Sequence, residues 1–279
     1  MSDYILMAVA LLPAIVLCTY VFIKDRVEKE PIGLLLKLFA LGAILVFPAA
    51  TIEGALTAML EGFFLPETPI LVEEGINFYN HEAYLYIFTD NTIGIALVEE
   101  GIKFLVLICL TRKSREFDSL FDGLIYAVFV SLGFAALENV FYVWQYGLDT
   151  GIMRAVLSVP GHMFFAVMMG YHYSMWHITD KAAETEKDLK AQGIIQSNLK
   201  PFSSKKEIAL CLIIPTLAHG TYNSLCTIGT VWSTLMLYAF VIFMYIHCFG
   251  KIRKMSKADE LDNVYVQYML TKKYPELLG

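Results

Sequence analysis

Charge is scarce in this chain. Of 279 residues only 17% are Asp, Glu, Lys or Arg, where a soluble domain carries about 25%. The shortfall excludes an ordinary water-soluble domain, and the apolar composition excludes disorder. Cysteine is sparse and unpatterned: Cys18, Cys109, Cys211, Cys226 and Cys248 are odd in number, form no CxxC pair and sit in or beside apolar runs. Neither a disulfide framework nor a Cys-rich zinc site is indicated, and they read as packing residues. A net charge of −6 with no dense Lys/Arg patch argues against nucleic acid as a partner. Walker and Rossmann glycine patterns are missing, which leaves nucleotide chemistry without support. HExxH, GxSxG and a GxGD-type aspartate pair are missing too, which sets aside three common protease designs. No internal repeat or low-complexity tract is visible. Met1 to Asp3 bear no basic residue, and the apolar run behind them has no small-x-small cleavage site. The expectation there is a first membrane span rather than a removable signal.

What abounds is hydrophobic side chains, 57% of the chain with a mean hydropathy of +0.57. A helix needs about 20 apolar residues to cross a bilayer. Seven stretches qualify, at roughly 4–23, 33–60, 85–110, 121–146, 154–177, 208–227 and 231–250. The fold expected is therefore all-α: a polytopic helical membrane protein with about seven transmembrane helices. One transmembrane domain would occupy 1–250, with its core at 85–227, followed by a cytoplasmic tail at 251–279. Basic residues collect on alternate connections: Lys24, Arg26 and Lys29 after the first span, Arg112, Lys113 and Arg115 after the third, six lysines from Lys181 to Lys206, and six basic residues from Lys251 to Lys273. No Lys or Arg falls between Lys37 and Lys103, and the segment before the fifth span offers only Arg154. Because basic residues accumulate on the cytoplasmic side, the expected orientation is N-outside, C-inside, in a multi-pass protein of the cell membrane. The polar stretches 178–207, 251–279 and 61–84, the last with Glu61, Glu67, Glu73, Glu74 and Glu82, read as solvated loops or surface helices.

Ionisable groups inside spans cost about 2.5 to 3.5 kcal/mol each near the helix centre and are functional suspects by default. The third span holds Glu99, Glu100 and Lys103 in one turn. Lys103, at i+4 and i+3, reaches either carboxylate. A satisfied ion cluster that merely orders the bundle is the bland reading. Against it, one lysine neutralises one carboxylate, and adjacent residues project about 100° apart, so the second Glu needs another partner. The fourth span carries small residues at Ser131, Gly133, Ala135 and Ala136, which permit close helix approach, and then Glu138 and Asn139. The fifth brings His162 after Pro160-Gly161, and the sixth brings His219 and Asn223 on one face at i, i+4. His81, His172, His177 and His247 read as ordinary hydrogen-bonding histidines. Glu99 lies about 13 residues, or roughly 20 Å at 1.5 Å per residue, inside the outer boundary of its span. The other groups fall nearer the outer surface, so spans three to six have polar groups placed to share one wet pocket.

Two carboxylates, two histidines and an asparagine suffice to activate water and stabilise an oxyanion. They are also plausible zinc ligands. The motifs Glu99-Glu100-x-x-Lys103, Asp122-Gly123-Leu124-Ile125-Tyr126 leading to Gly133-Phe134-Ala135-Ala136-Leu137-Glu138-Asn139, His162, and His219-x-x-x-Asn223 follow one another on four consecutive spans. In this the sequence resembles the PrsW-type intramembrane proteases, within the wider group that includes the CAAX prenyl endopeptidases. The resemblance covers about half the chain and implies hydrolysis of a peptide bond in a single-pass membrane protein near the outer side of the bilayer. Such a cut would be the first-site cleavage of an anti-sigma factor in a bacterial plasma membrane. It further implies Glu99 as the base that activates water, His162 as its positioner, His219 with Asn223 as the oxyanion site, and Glu100 as support through Lys103 or a histidine, with Glu138 and Asn139 also supporting. Ser158 stands where the CAAX branch has Phe, and Lys103 replaces its Arg. A Zn2+ ion would take its ligands from Glu99, Glu100, Glu138, His162 and His219. A glutamate–water mechanism needs no metal and is the reading preferred on sequence alone. Two rivals stay open: an ion-coupled transporter, since such groups also relay protons, and a non-catalytic scaffold of the same fold.

Overall fold

The computed structural model describes residues 3–64, 71–73, 76–78, 81–196 and 198–278. Glu67 and Glu74 of the acidic segment, the side chain of Glu73, and Met1 and Ser2 lie outside the described residues. The elements are α1 (Asp3–Lys24), α2 (Ile32–Ile44), α3 (Val46–Phe64), a short antiparallel pair β1 (Leu71–Glu73) and β2 (Ile76–Phe78), α4 (His81–Thr89), a π-helical segment (Asp90–Ala96) and α5 (Leu97–Thr111). There follow α6 (Asp122–Tyr146), α7 (Leu148–Val156), α8 (Ser158–Ala191), α9 (Lys205–Ile228), α10 (Val231–Lys257), α11 (Asp262–Lys273) and a 3-10 turn (Pro275–Leu278). Six helical stretches among the described residues are long and apolar enough to cross a membrane: Leu6–Lys24, Ile32–Phe64, Asp122–Tyr146, Leu148–Ala191, Lys205–Ile228 and Val231–Lys257. The remaining expected span, 85–110, is helical throughout His81–Thr111, but changes its winding at the π-helical segment just before Glu99.

Helix α6 is the axis of the molecule. Apart from the hydroxyls of Tyr126 and Ser131 it is apolar all round between Gly123 and Ala136, and such a helix finds its place only when enclosed by others. From Asp122 to Ala136 every residue is buried. Close approach is part of this: a Cβ on Gly133 would run into the backbone carbonyl of Phe39 on α2. Gly133 belongs to the small-residue run that the sequence marked for tight packing, and α2 is the helix that uses it. On the other side α8 lies against α6, with Ser131 Oγ donating to the carbonyl of His162 at 2.9 Å. Lipid-facing positions elsewhere stay apolar, such as Leu12, Ile15, Leu36, Phe47, Leu235, Ile242 and Ile246. That outward hydrophobicity is what an apolar solvent asks of a bundle.

Of the polar segments expected as solvated loops or surface helices, 178–207 and 251–279 carry helix that is partly buried. Helix α8 continues to Ala191, and α11 packs along it with Val266, Leu270 and Tyr274 buried in the main core. Val266 and Leu270 recur at i, i+4 on one face of α11, and Tyr274 follows directly after its last residue. Glu186 on α8 gathers Lys190 (2.8 Å), Lys273 (3.0 Å), the Tyr274 hydroxyl (2.6 Å) and the backbone N–H of Phe202 (2.9 Å). The tail is therefore clamped to the domain.

Candidate active site

Four helices deliver ionisable side chains to one place. Glu99, Glu100 and Lys103 come from α5, Glu138 from α6, His162 from α8 and His219 from α9. The Lys103 ammonium donates to Glu99 Oε2 at 2.8 Å and to Glu100 Oε1 at 2.9 Å, and lies 3.3 Å from His162 Nδ1. It also sits 4.1 Å over the Phe134 ring, a cation–π contact strengthened by burial. His219 Nδ1 is 3.0 Å from Glu100 Oε1 and His162 Nε2 is 3.0 Å from Glu138 Oε2. Ionised carboxylates only accept hydrogen bonds, so these two nitrogens carry the protons. That tautomer assignment leaves a lone pair on His162 Nδ1 and another on His219 Nε2. The His219 ring is stacked on Phe165 at 4.6 Å.

The surroundings hold these groups in place. Arg154, on α7, lies 2.7 Å from Glu138 Oε2, donates from Nε to Asn139 Oδ1 at 3.1 Å and covers the Tyr142 ring at 3.8 Å. Asn139 in turn donates to the carbonyl of Ala10 on α1 at 2.9 Å. On α9, Gly220 is pressed so closely against Thr92 of the π-helical segment that a Cβ would strike its backbone and hydroxyl. Asn91 of that segment donates to Ile87 O at 2.8 Å and to Thr227 Oγ1 on α9 at 3.3 Å. The altered winding therefore docks the helix bearing Glu99 onto the helix bearing His219. Winding of this kind recurs at functional sites.

A cavity of about 490 Å³ opens on the cluster, lined among others by Glu53, Glu99, Glu138, Arg154, His162, His219 and Asn223. Of the two adjacent glutamates only Glu99 lines it, while Glu100 is fully buried. Asn139 stays outside and reaches the site through Arg154. Each of Glu99, Glu100, His162 and His219 offers one ligand atom within 4.8 Å of the others. Glu138 is outside that foursome and braces His162 instead. Glu100 Oε2 is buried without a hydrogen-bond partner, and such an orphan asks for a ligand. The lone pair of His219 Nε2, that of His162 Nδ1, which the Lys103 ammonium faces at 3.3 Å, and the carboxylate oxygens are a donor set that suits zinc. Sequence reasoning missed Arg154, which reads as a loop charge because only the folded chain brings it to Glu138, and Glu53. For Glu53 the signal was present: an acid inside the apolar stretch 33–60.

Buried acids and histidines converge here on a cavity among membrane-crossing helices, an arrangement that polytopic membrane hydrolases share with ion-coupled transporters. Residues 30–248 match the family described as PrsW family intramembrane metalloprotease; the chain belongs to this family and is a membrane-embedded protease. Among curated proteins it is similar to Protease PrsW of Shouchella clausii, 31% identical over 91% of this chain and 97% of that one. It is likewise similar to Protease PrsW of Oceanobacillus iheyensis, 29% identical over 90% and 96%, and of Bacillus subtilis, 27% identical over 94% and 100%. No solved structure matches the chain. Six apolar helices together with this family make it a multi-pass membrane protein.

Proposed function

We propose that the protein cleaves a peptide bond of a single-pass membrane protein near the outer side of a bacterial plasma membrane, with its N-terminus outside and its C-terminus inside, and that an anti-sigma factor is the substrate class. The observation that carries the reading is the meeting of Glu99 and Glu100 with His162 and His219 at one cavity. Glu100, His162 and His219 would hold a zinc-like divalent ion, leaving a position open as catalytic sites do; when bound, such an ion acidifies water and polarises a carbonyl. The family description and the orphaned Glu100 oxygen favour this over the metal-free reading.

The chain's own residues divide the remaining work. Glu99, which faces the cavity, takes the proton of the attacking water. Lys103 balances the paired carboxylates and fixes their orientation. Glu138 keeps the His162 proton on Nε2 and so aims Nδ1 at the cluster. The Asn223 amide, on the cavity wall from α9, donates to the developing oxyanion.

The test is purified protein in liposomes with a single-pass substrate, comparing the wild type with Glu99→Gln and His219→Ala. Glu99→Gln is expected to retain its fold and its metal content but lose cleavage by about 10²-fold or more; normal cleavage removes it as the base. His219→Ala is expected to lose metal in elemental analysis. Wild-type protein that is metal-free yet fully active in chelator would restore the glutamate–water mechanism.

A further inference from the structure

Three carboxylates line the cavity, and two have cations of their own: Glu99 has Lys103, and Glu138 has Arg154. Glu53 of α3, half-buried, has no cation partner among the described residues, and its Oε1 is shut off from solvent without a hydrogen-bond partner. An acid in an apolar helix is costly, and one left unpaired in the wall of a binding cavity is complementary to a cation the protein does not supply. The same wall carries Tyr142, Tyr222, Phe165, Leu157 and Met153. Long basic side chains match such surroundings, since their methylene stems pack on apolar surface while the head keeps a polar partner.

We propose that Glu53 is a specificity residue, receiving the ammonium or guanidinium of a Lys or Arg close to the scissile bond of the substrate. The aromatic and aliphatic wall carries the stem of that side chain, and Glu53 closes on its head. Glu53 shares the cavity with the four grouped ligands but is not one of them, which leaves its carboxylate to recognition rather than metal binding. The inference rests on the proteolytic reading above.

The experiment uses the full-length protein in liposomes with a library of single-span reporter proteins randomised along the outer juxtamembrane segment, the fragments being identified by mass spectrometry. Glu99→Gln runs in parallel as the blank. No difference from that blank removes proteolysis itself, separately from anything about Glu53. Given cleavage, the wild type is expected to enrich Lys or Arg at a fixed distance from the cut, and Glu53→Gln to lose that enrichment. The ratio of kcat/KM for a Lys substrate over its Gln counterpart should fall about tenfold or more, chiefly through KM, since removing one partner of a desolvated charge pair is costly. Glu53→Lys should shift the preference at that position to Asp or Glu. A wild-type preference indifferent to charge overturns the proposal, as does a Glu53→Gln loss equal for both substrates.

Discussion

At the scale of single residues, His162 is held on both sides. Its Nε2 proton goes to Glu138, itself fastened by Arg154, while its Nδ1 faces Lys103 and Glu99, the latter 3.9 Å away. Partners behind a ligand typically contribute 10 to 100-fold in metal affinity or activity. Glu138→Gln and Arg154→Gln are therefore each expected to lower kcat by about that factor while leaving expression and oligomeric behaviour unchanged. The double variant should lose little more than either alone, because the two residues act through one ring; a multiplicative loss in steady-state kinetics would show that they act separately. The cluster itself was legible in the sequence because Glu99, Glu100, Lys103, His162 and His219 are anomalies against an apolar background. Their pairing was less so. Nothing in spacing says that Glu138 rather than Glu100 braces His162, since that depends on how α6 and α8 are rotated against each other.

Among elements, the contact between α9 and the π-helical segment decides how His219 meets Glu100. Gly220→Ala would put a methyl into Thr92, and overpacking of this kind costs about 1 to 3 kcal/mol. The expected outcome is a lower melting temperature together with a larger fall in kcat, and partial recovery of both in Gly220→Ala combined with Thr92→Ala, which removes the hydroxyl oxygen that the new methyl meets first. An undisturbed melt would mean that the helices part without cost. Six of the seven expected spans were readable from length and hydropathy, coinciding with helices long and apolar enough to cross a membrane. The π-helical winding was not, because Asp90–Ala96 has no proline or other marker that separates it from ordinary helix. The polar end of α8 and the docking of α11 were hidden by composition: Val266, Leu270 and Tyr274 are buried, but lie among charged neighbours that read as solvated.

For the whole molecule, a second acidic assembly lies where α1, α2, α6 and the segment after α10 meet. Glu30 accepts from the Tyr126 hydroxyl at 2.7 Å, Asp25 accepts from the backbone N–H of Glu30 at 3.2 Å, and Asp259 accepts from that of Phe121 at 2.9 Å. Burial pushes Asp25 up to about 6. Burial also raises Glu30 well above the usual carboxylate range, with Asp122 and Asp25 nearby adding to the effect. A carboxyl group whose folded value is raised binds more protons folded than unfolded, so stability falls as pH climbs from the unfolded value of about 4 through the folded one. The melting temperature is accordingly expected to drop between about pH 4 and pH 9, and Glu30→Gln, which still accepts from Tyr126, to flatten the upper part of that slope. A slope unchanged in the variant would assign the pH dependence to other groups.

Helix α8 is one unbroken rod of 34 residues, carrying His162 near one end and Glu186 near the other. Those two residues are separated by about 36 Å at 1.5 Å per residue. Leverage follows from that distance. A tilt of about 2° about the Glu186 anchorage sweeps the imidazole through about 1 Å, an error that costs on the order of 10²-fold in rate when catalytic geometry is strict. Whatever grips the Glu186 foot of this rod thus governs the aim of a nitrogen near its far end, with no ligand needing to come near it.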